Sequence, residues 1–205
     1  MEQVRAKIDK RPWVRHNLGS KSFYRHALQN PLLCPTIADE NAEIAIGADK
    51  MNLIASLCPV EDILLGRDIP NKSRLFDEIA RHVEQRHGLP ARDTVENLSA
   101  REALGSTAVG HGVAIPHARI GGLDKLIAVF VRPTSAIAFD APDRKPVSAV
   151  LALLVPEQAL QEHLQVLAEC ARLFSERSFR EQLGACANAA EVGRLFRDWS
   201  PSGPA

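Results

Sequence analysis

Long apolar runs are missing from this chain. No stretch approaches the ~18 consecutive residues that a membrane-spanning helix needs, which excludes an integral helical membrane component. The opening Met1-Glu2-Gln3-Val4-Arg5 lacks the apolar core of a signal peptide, so a cytoplasmic protein is expected. An excess of charge is missing too. With 25 basic and 25 acidic residues the formal net charge is +0, which removes the basic footprint of a nucleic-acid binder. The four cysteines (Cys34, Cys58, Cys170 and Cys186) show no paired spacing, which excludes a zinc motif and a disulfide framework and leaves reduced thiols. What remains is the composition of an ordinary globular protein, 45% hydrophobic and 24% charged, in a chain sized for one domain and an appendage.

The appendage is residues 1–50. Trp13, His16, Tyr24 and His26 mix with basic residues without a helical or alternating period, and Asn30-Pro31 and Cys34-Pro35 break any element. This segment is expected to be a disordered extension, or the product of an early start codon. The domain is expected over 51–199, with a frayed tail at 200–205. Asp62-Ile63-Leu64-Leu65 reads as a first strand. Pro70-Asn71-Lys72-Ser73 then reads as the turn into a helix whose face is Leu75, Phe76, Ile79, Ala80 and Val83, closed by Gly88. His82 and His87 fall near its polar side and read as solvated. A second helix is capped by Asp93 or Thr94, buries Val95, Leu98 and Leu104, carries Arg101 near its end and stops at Gly105. Apolar runs at 126–131 and 147–155 read as strands, the second buried on both faces. A helix from about Gln158 bears a stripe of Leu160, Leu164, Leu167, Ala171 and Phe174, flanked by His163. Two short amphipathic helices, 178–183 and 191–199, close the domain. Strands alternating with helices predict an α/β fold with a central mixed β-sheet flanked by helices on both faces.

The chemistry concentrates in Gly110-His111-Gly112-Val113-Ala114-Ile115-Pro116-His117. Two glycines allow bare backbone to approach a ligand, and their N–H groups, with that of His111, are expected to cradle a phosphate. Val113, Ala114 and Ile115 read as a short strand that pairs with 107–109 and stops at Pro116, placing His117 at its end. A neutral imidazole there can be a nucleophile or a metal ligand. The residues alone leave open a histidine that merely satisfies a carbonyl, just as Arg101 alone could be a cation at a helix C-terminus and His163 a packing residue.

The run Arg101-Glu102-Ala103-Leu104-Gly105-Ser106-Thr107, continuing to Gly110-x-Gly112-Val113-Ala114-Ile115-Pro116-His117, resembles the active-site signature of phosphotransferase-system IIA proteins of the mannitol/fructose type. It is most similar to the nitrogen-regulatory members. The resemblance covers residues 51–199 and implies the same sandwich of a mixed sheet between helices. It implies that His117 accepts the phosphoryl group, that Arg101 supports it electrostatically and that His163 stabilises it. The donor it implies is a phosphohistidine carrier of the HPr or NPr type. The targets it implies are kinases and potassium-transport components in nitrogen, carbon and potassium regulation. No metal and no cofactor are expected, because the phosphorus–nitrogen bond already carries the free energy. His111 departs from the family's more usual polar residue. It reads as a rim residue that modulates docking, with metal capture by His111, His117 and His163 as the alternative. Two other functions stay open: a sugar-specific IIA that passes phosphate to a IIB component, and a binding module that is never phosphorylated.

Overall fold

The computed structural model describes residues 53–158 and 162–200, apart from the side chains of Glu162 and His163. The expected extension over 1–50 and the tail from 201 lie outside the described residues.

The polypeptide begins with a short helix α1 (Leu53–Leu57) and a 3-10 turn (Val60–Asp62) that feed the first strand, β1 (Ile63–Arg67). Helix α2 (Lys72–His87) follows and behaves as its sequence dictates. The Asn71 side chain accepts the Arg74 N–H at the start, and Gly88, at φ 72°, closes the end in the left-handed conformation. Its five expected apolar residues are all buried. Helix α3 (Ala91–Ala103) starts earlier than expected, after Pro90, with no side-chain cap. Asp93 and Thr94 lie inside its first turn, where Thr94 Oγ1 donates back to the Pro90 carbonyl.

Six strands make one mixed sheet: β1, β2 (Ala108–Gly110), β3 (Val113–Ala114), β4 (His117–Ile120), β5 (Ile127–Pro133) and β6 (Ala149–Pro156). Their order is β1-β5-β6-β3-β2, with β4 also beside β6. β5 runs parallel to β1 and antiparallel to β6. Along β6 the side chains alternate between two cores. Val150, Ala152 and Leu154 pack under α2 and α3. Leu151, Leu153 and Val155 pack under α1 and the C-terminal helices α4 (Glu162–Ser175), α5 (Arg177–Ala185) and α6 (Ala189–Asp198). A strand buried on both faces reads as one continuous apolar run, as Val147–Val155 did. The α/β expectation with helices on both faces holds.

Three expectations change. The strand at Val113 ends at Ala114, but His117 opens a further strand, and β3 and β4 pair with β6 in one register, Val113 opposite Ala149 and His117 opposite Leu153. Proline lacks an N–H but keeps its carbonyl, which accepts the Leu153 N–H at 2.8 Å, so the parallel ladder continues through it. The buried stripe of α4 is Val166, Cys170, Leu173 and Phe174, whereas Leu164 is 58% exposed and Ala171 is exposed. Both stripes have helical spacing and share Phe174, so periodicity could not choose between them. Third, His82 and His87 are not solvated. Asp62 is wholly buried, and its carboxylate accepts from His82 Nε2 at 2.8 Å and His87 Nε2 at 3.0 Å. A buried carboxylate needs such donors, and the 3-10 turn delivers it to α2.

Candidate functional site

Arg101 and His117 meet where α3 packs on β4. His117 is half-buried at the start of β4, and its two ring nitrogens have different partners. Nδ1 lies 3.0 Å from the Ile115 carbonyl oxygen. Nε2 lies 3.0 Å from Arg101 Nε. A carbonyl can only accept and a guanidinium N–H can only donate, so these contacts fix one tautomer. Nδ1 carries the proton and Nε2 presents its lone pair. The Ile115 carbonyl is available because its residue sits at the break between β3 and β4, where Ile115 N–H turns to the Thr107 carbonyl instead.

Arg101 makes two contacts from the end of its helix. Its Nη1 donates to the Gly105 carbonyl at 3.0 Å, just beyond the end of its own helix, while Nε reaches the imidazole. The neighbouring Glu102 points inward and was not singled out in the sequence. Its Oε2 accepts the Thr107 N–H at 2.9 Å and the Thr107 hydroxyl at 2.6 Å, and its Oε1 accepts Lys72 Nζ at 2.8 Å. Lys72 also meets Asp140 at 3.1 Å and lies over the Phe139 ring. Burial opposes the Lys72 charge, but Glu102 and Asp140 outweigh it and hold the ammonium above the usual lysine range. This clasp ties α2, the end of α3 and the chain entering β2 together. The signal was there to read, since Glu102 and Thr107 lie in the same signature run as Arg101.

Leu104, expected in the core, is 87% exposed three residues beyond Arg101. The last turn of α3 aims it outward because Glu102 takes the inward position. His163 lies in the first turn of α4, with its side chain outside the described residues.

The Gly110–His111–Gly112 segment is not brought to His117. It forms the tip of the β2–β3 hairpin, with φ values of 87°, 55° and 76°. A two-residue loop with positive φ at both positions matches the twist of paired strands, and Gly112 also leaves room for Ser148, whose Oγ would lie 3.3 Å from a Cβ there. Val113 and His117 are four residues apart in one register, so the hairpin stands ~13 Å or more along the strand from the imidazole. The His111 N–H is moreover committed to Asp143 Oδ2 at 2.8 Å. That bond and one from the Lys145 N–H hold the Asp143 carboxyl below its ordinary range. The expected phosphate cradle is therefore a hairpin turn, and metal capture by His111 together with His117 is ruled out by the same spacing. Among the described residues no group of His, Cys, Asp and Glu is arranged to hold a metal.

Residues 56–199 match the model of the family described as phosphoenolpyruvate-dependent sugar phosphotransferase system, EIIA 2. The chain belongs to this family. Over 139 residues it is 37% identical to the nitrogen regulatory protein of Bradyrhizobium diazoefficiens, covering 68% of this chain and 91% of that protein. The crystal structure of nitrogen regulatory protein IIA-Ntr from Neisseria meningitidis aligns with a TM-score of 0.67 at 44% identity, over 70% of this chain and 99% of that one. The mannitol IIA of Escherichia coli aligns with a TM-score of 0.57 at 21% identity, over 67% of this chain and 97% of that one, which shows the shared EIIA fold. Among the described residues no helix is long and apolar enough to cross a membrane.

Proposed function

We propose that this EIIA protein is a regulatory phosphocarrier that accepts a phosphoryl group on His117 Nε2 from a phosphohistidine carrier of the HPr or NPr type. The observation that carries the reading is the pair of contacts on the imidazole: Ile115 holds the proton on Nδ1, and Arg101 Nε–H marks the lone pair on Nε2.

The Nε2 lone pair attacks phosphorus, and the donor's phosphorus–nitrogen bond breaks with its electron pair returning to the donor ring. A donor protonated on its other nitrogen leaves as a neutral imidazole. The positive charge passes to the His117 ring, whose Nδ1–H stays on the Ile115 carbonyl. Transfer of this kind has a loose transition state, so positioning and charge do most of the work. Arg101, already in contact with Nε2, turns its guanidinium to the phosphoryl oxygens as they arrive. His163, in the first turn of α4, is assigned to stabilise the phosphoryl group. Exposed Leu104 and Leu164, close in sequence to Arg101 and His163, supply apolar surface for a docking protein. Partners that bind the bare face, in nitrogen, carbon or potassium regulation, are repelled when the phosphoryl charge is added.

The test is to incubate the protein with phosphoenolpyruvate, enzyme I and an HPr-type carrier, and to measure the intact mass of wild type and His117→Ala. A gain of one phosphoryl mass in the wild type alone supports the phosphocarrier. No gain in either leaves a module that only docks. Transfer onward to a IIB component would assign it to sugar uptake instead.

A further inference from the structure

Beside Ala149 at the start of β6, four residues before the Leu153 that His117 faces, the β2–β3 hairpin, the end of β5 and α5 surround a cavity of about 510 Å³. Its walls include Arg132, Arg180, His111, Thr134 and Ser148, and no acidic residue. Both arginines are held by carbonyls. Arg132 donates to the carbonyls of Leu183 and Cys186 at 2.9 and 2.6 Å, and Arg180 spends Nη1 on those of Phe174 and Ser175 at 2.7 and 2.8 Å. Carbonyls orient a guanidinium without cancelling its charge. Among the described residues neither arginine has a carboxylate partner, and Arg180 keeps Nε and Nη2 for another acceptor.

The positive surroundings extend beyond the cavity. An adjoining groove shares His111 and Arg180 and adds Lys145 and Arg177. The acid in that groove, Glu181, is bound to Arg177 at 2.7 Å. Asp143, the carboxylate nearest the hairpin, is occupied by the His111 and Lys145 N–H groups. Two pre-oriented guanidiniums with no counter-charge in a concave site focus positive potential on its interior. The volume falls within the ~300–1,000 Å³ typical of small-molecule sites.

We propose that this cavity is a second binding site, separate from the His117 site, for a small metabolite carrying two or more oxyanion charges. Phosphate esters and polycarboxylates share that chemistry, and planar guanidinium groups suit both. His111, whose role the signature left unexplained, contributes its ring at the mouth of the site. The proposal does not depend on phosphorylation of His117.

Calorimetric titration of the full chain with inorganic pyrophosphate and with citrate, against sodium chloride of matched ionic strength, tests it. At least one of the two should bind with a dissociation constant below about 1 mM. Pyrophosphate alone points to phosphate esters, citrate alone to polycarboxylates, and either supports the site. Arg180→Gln should weaken binding by about tenfold. His111→Asn should weaken it by a smaller factor, because asparagine keeps the positive-φ turn while removing the ring. Melting curves of both variants confirm that they fold. No heat beyond the chloride control overturns the proposal. Binding unchanged in both folded variants overturns it as well.

Discussion

The start and the middle of β6 each have an imidazole near a guanidinium, and they use the pair differently. At His117 Arg101 donates directly to the ring nitrogen, so the arginine selects a tautomer and prepares a lone pair. At the start of β6 Arg132 and Arg180 are turned onto helix carbonyls, and His111 stands on an exposed hairpin turn whose backbone is pinned by Asp143. The same two residue types thus make a hydrogen-bonded pair where they touch, and a charged recess where the backbone holds them apart. One register joins the two places without merging them, since Ala114, Ile115 and Pro116 lie between Val113 and His117.

The largest expected effect separates the two histidines. His117→Ala should abolish phosphoryl uptake, whereas His111→Asn should leave it near wild type in the same intact-mass assay. Loss of uptake in His111→Asn would erase the distinction between the two places. Next, Arg101→Gln should slow transfer by about a hundredfold, the usual size for removing one donor from a developing charge. Arg101→Lys should recover only part of that rate, because an ammonium cannot hold a carbonyl and an imidazole with one planar group. Single-turnover transfer from the phosphorylated carrier reads both.

A smaller effect belongs to the clasp behind Arg101. Glu102→Gln should lower stability by about 1–3 kcal/mol in urea unfolding, since a buried acceptor of three donors becomes an amide. It should also slow transfer while leaving pyrophosphate or citrate binding unchanged. The smallest concerns Lys72. Its folded pKa is raised, so its stabilisation is complete below the ordinary lysine value of about 10.4 and is lost as pH rises through the higher folded value. Unfolding midpoints compared between about pH 8 and 11 should show an alkaline decline in the wild type that is weaker in Lys72→Met.

Much of the fold could be read from the chain. Helix α2 was legible because apolar spacing, a turn at residues 70–73 and a Gly88 terminator agreed. β6 was legible because a strand covered on both faces has no polar positions. Helix α4 was not, since two apolar stripes competed and only the packing of Val166 and Cys170 against the sheet could decide. At the site, the resemblance to a family signature singled out His117, Arg101 and His163; the structure brings Arg101 to His117, while the His163 side chain lies outside the described residues. The misplaced cradle shows the limit of that reading: Gly110 and Gly112 are close to His117 in sequence, but an extended strand converts five residues into distance. His82 and His87 were misjudged for a related reason, because nothing local announces that Asp62 will be buried against them.

By itself the sequence determined most of the long helices and strands, that the sheet is covered on both faces, and which histidine follows the proline. Periodicity, caps and breakers act over a few residues and need no distant partner. Only the tertiary structure decided the tautomer of His117, the inward turn of Glu102, the burial of Asp62 and the separation of His111 from His117. Each of these depends on a carbonyl, carboxylate or guanidinium delivered from another element, and hydrogen bonds act only over about 3 Å once that delivery is made.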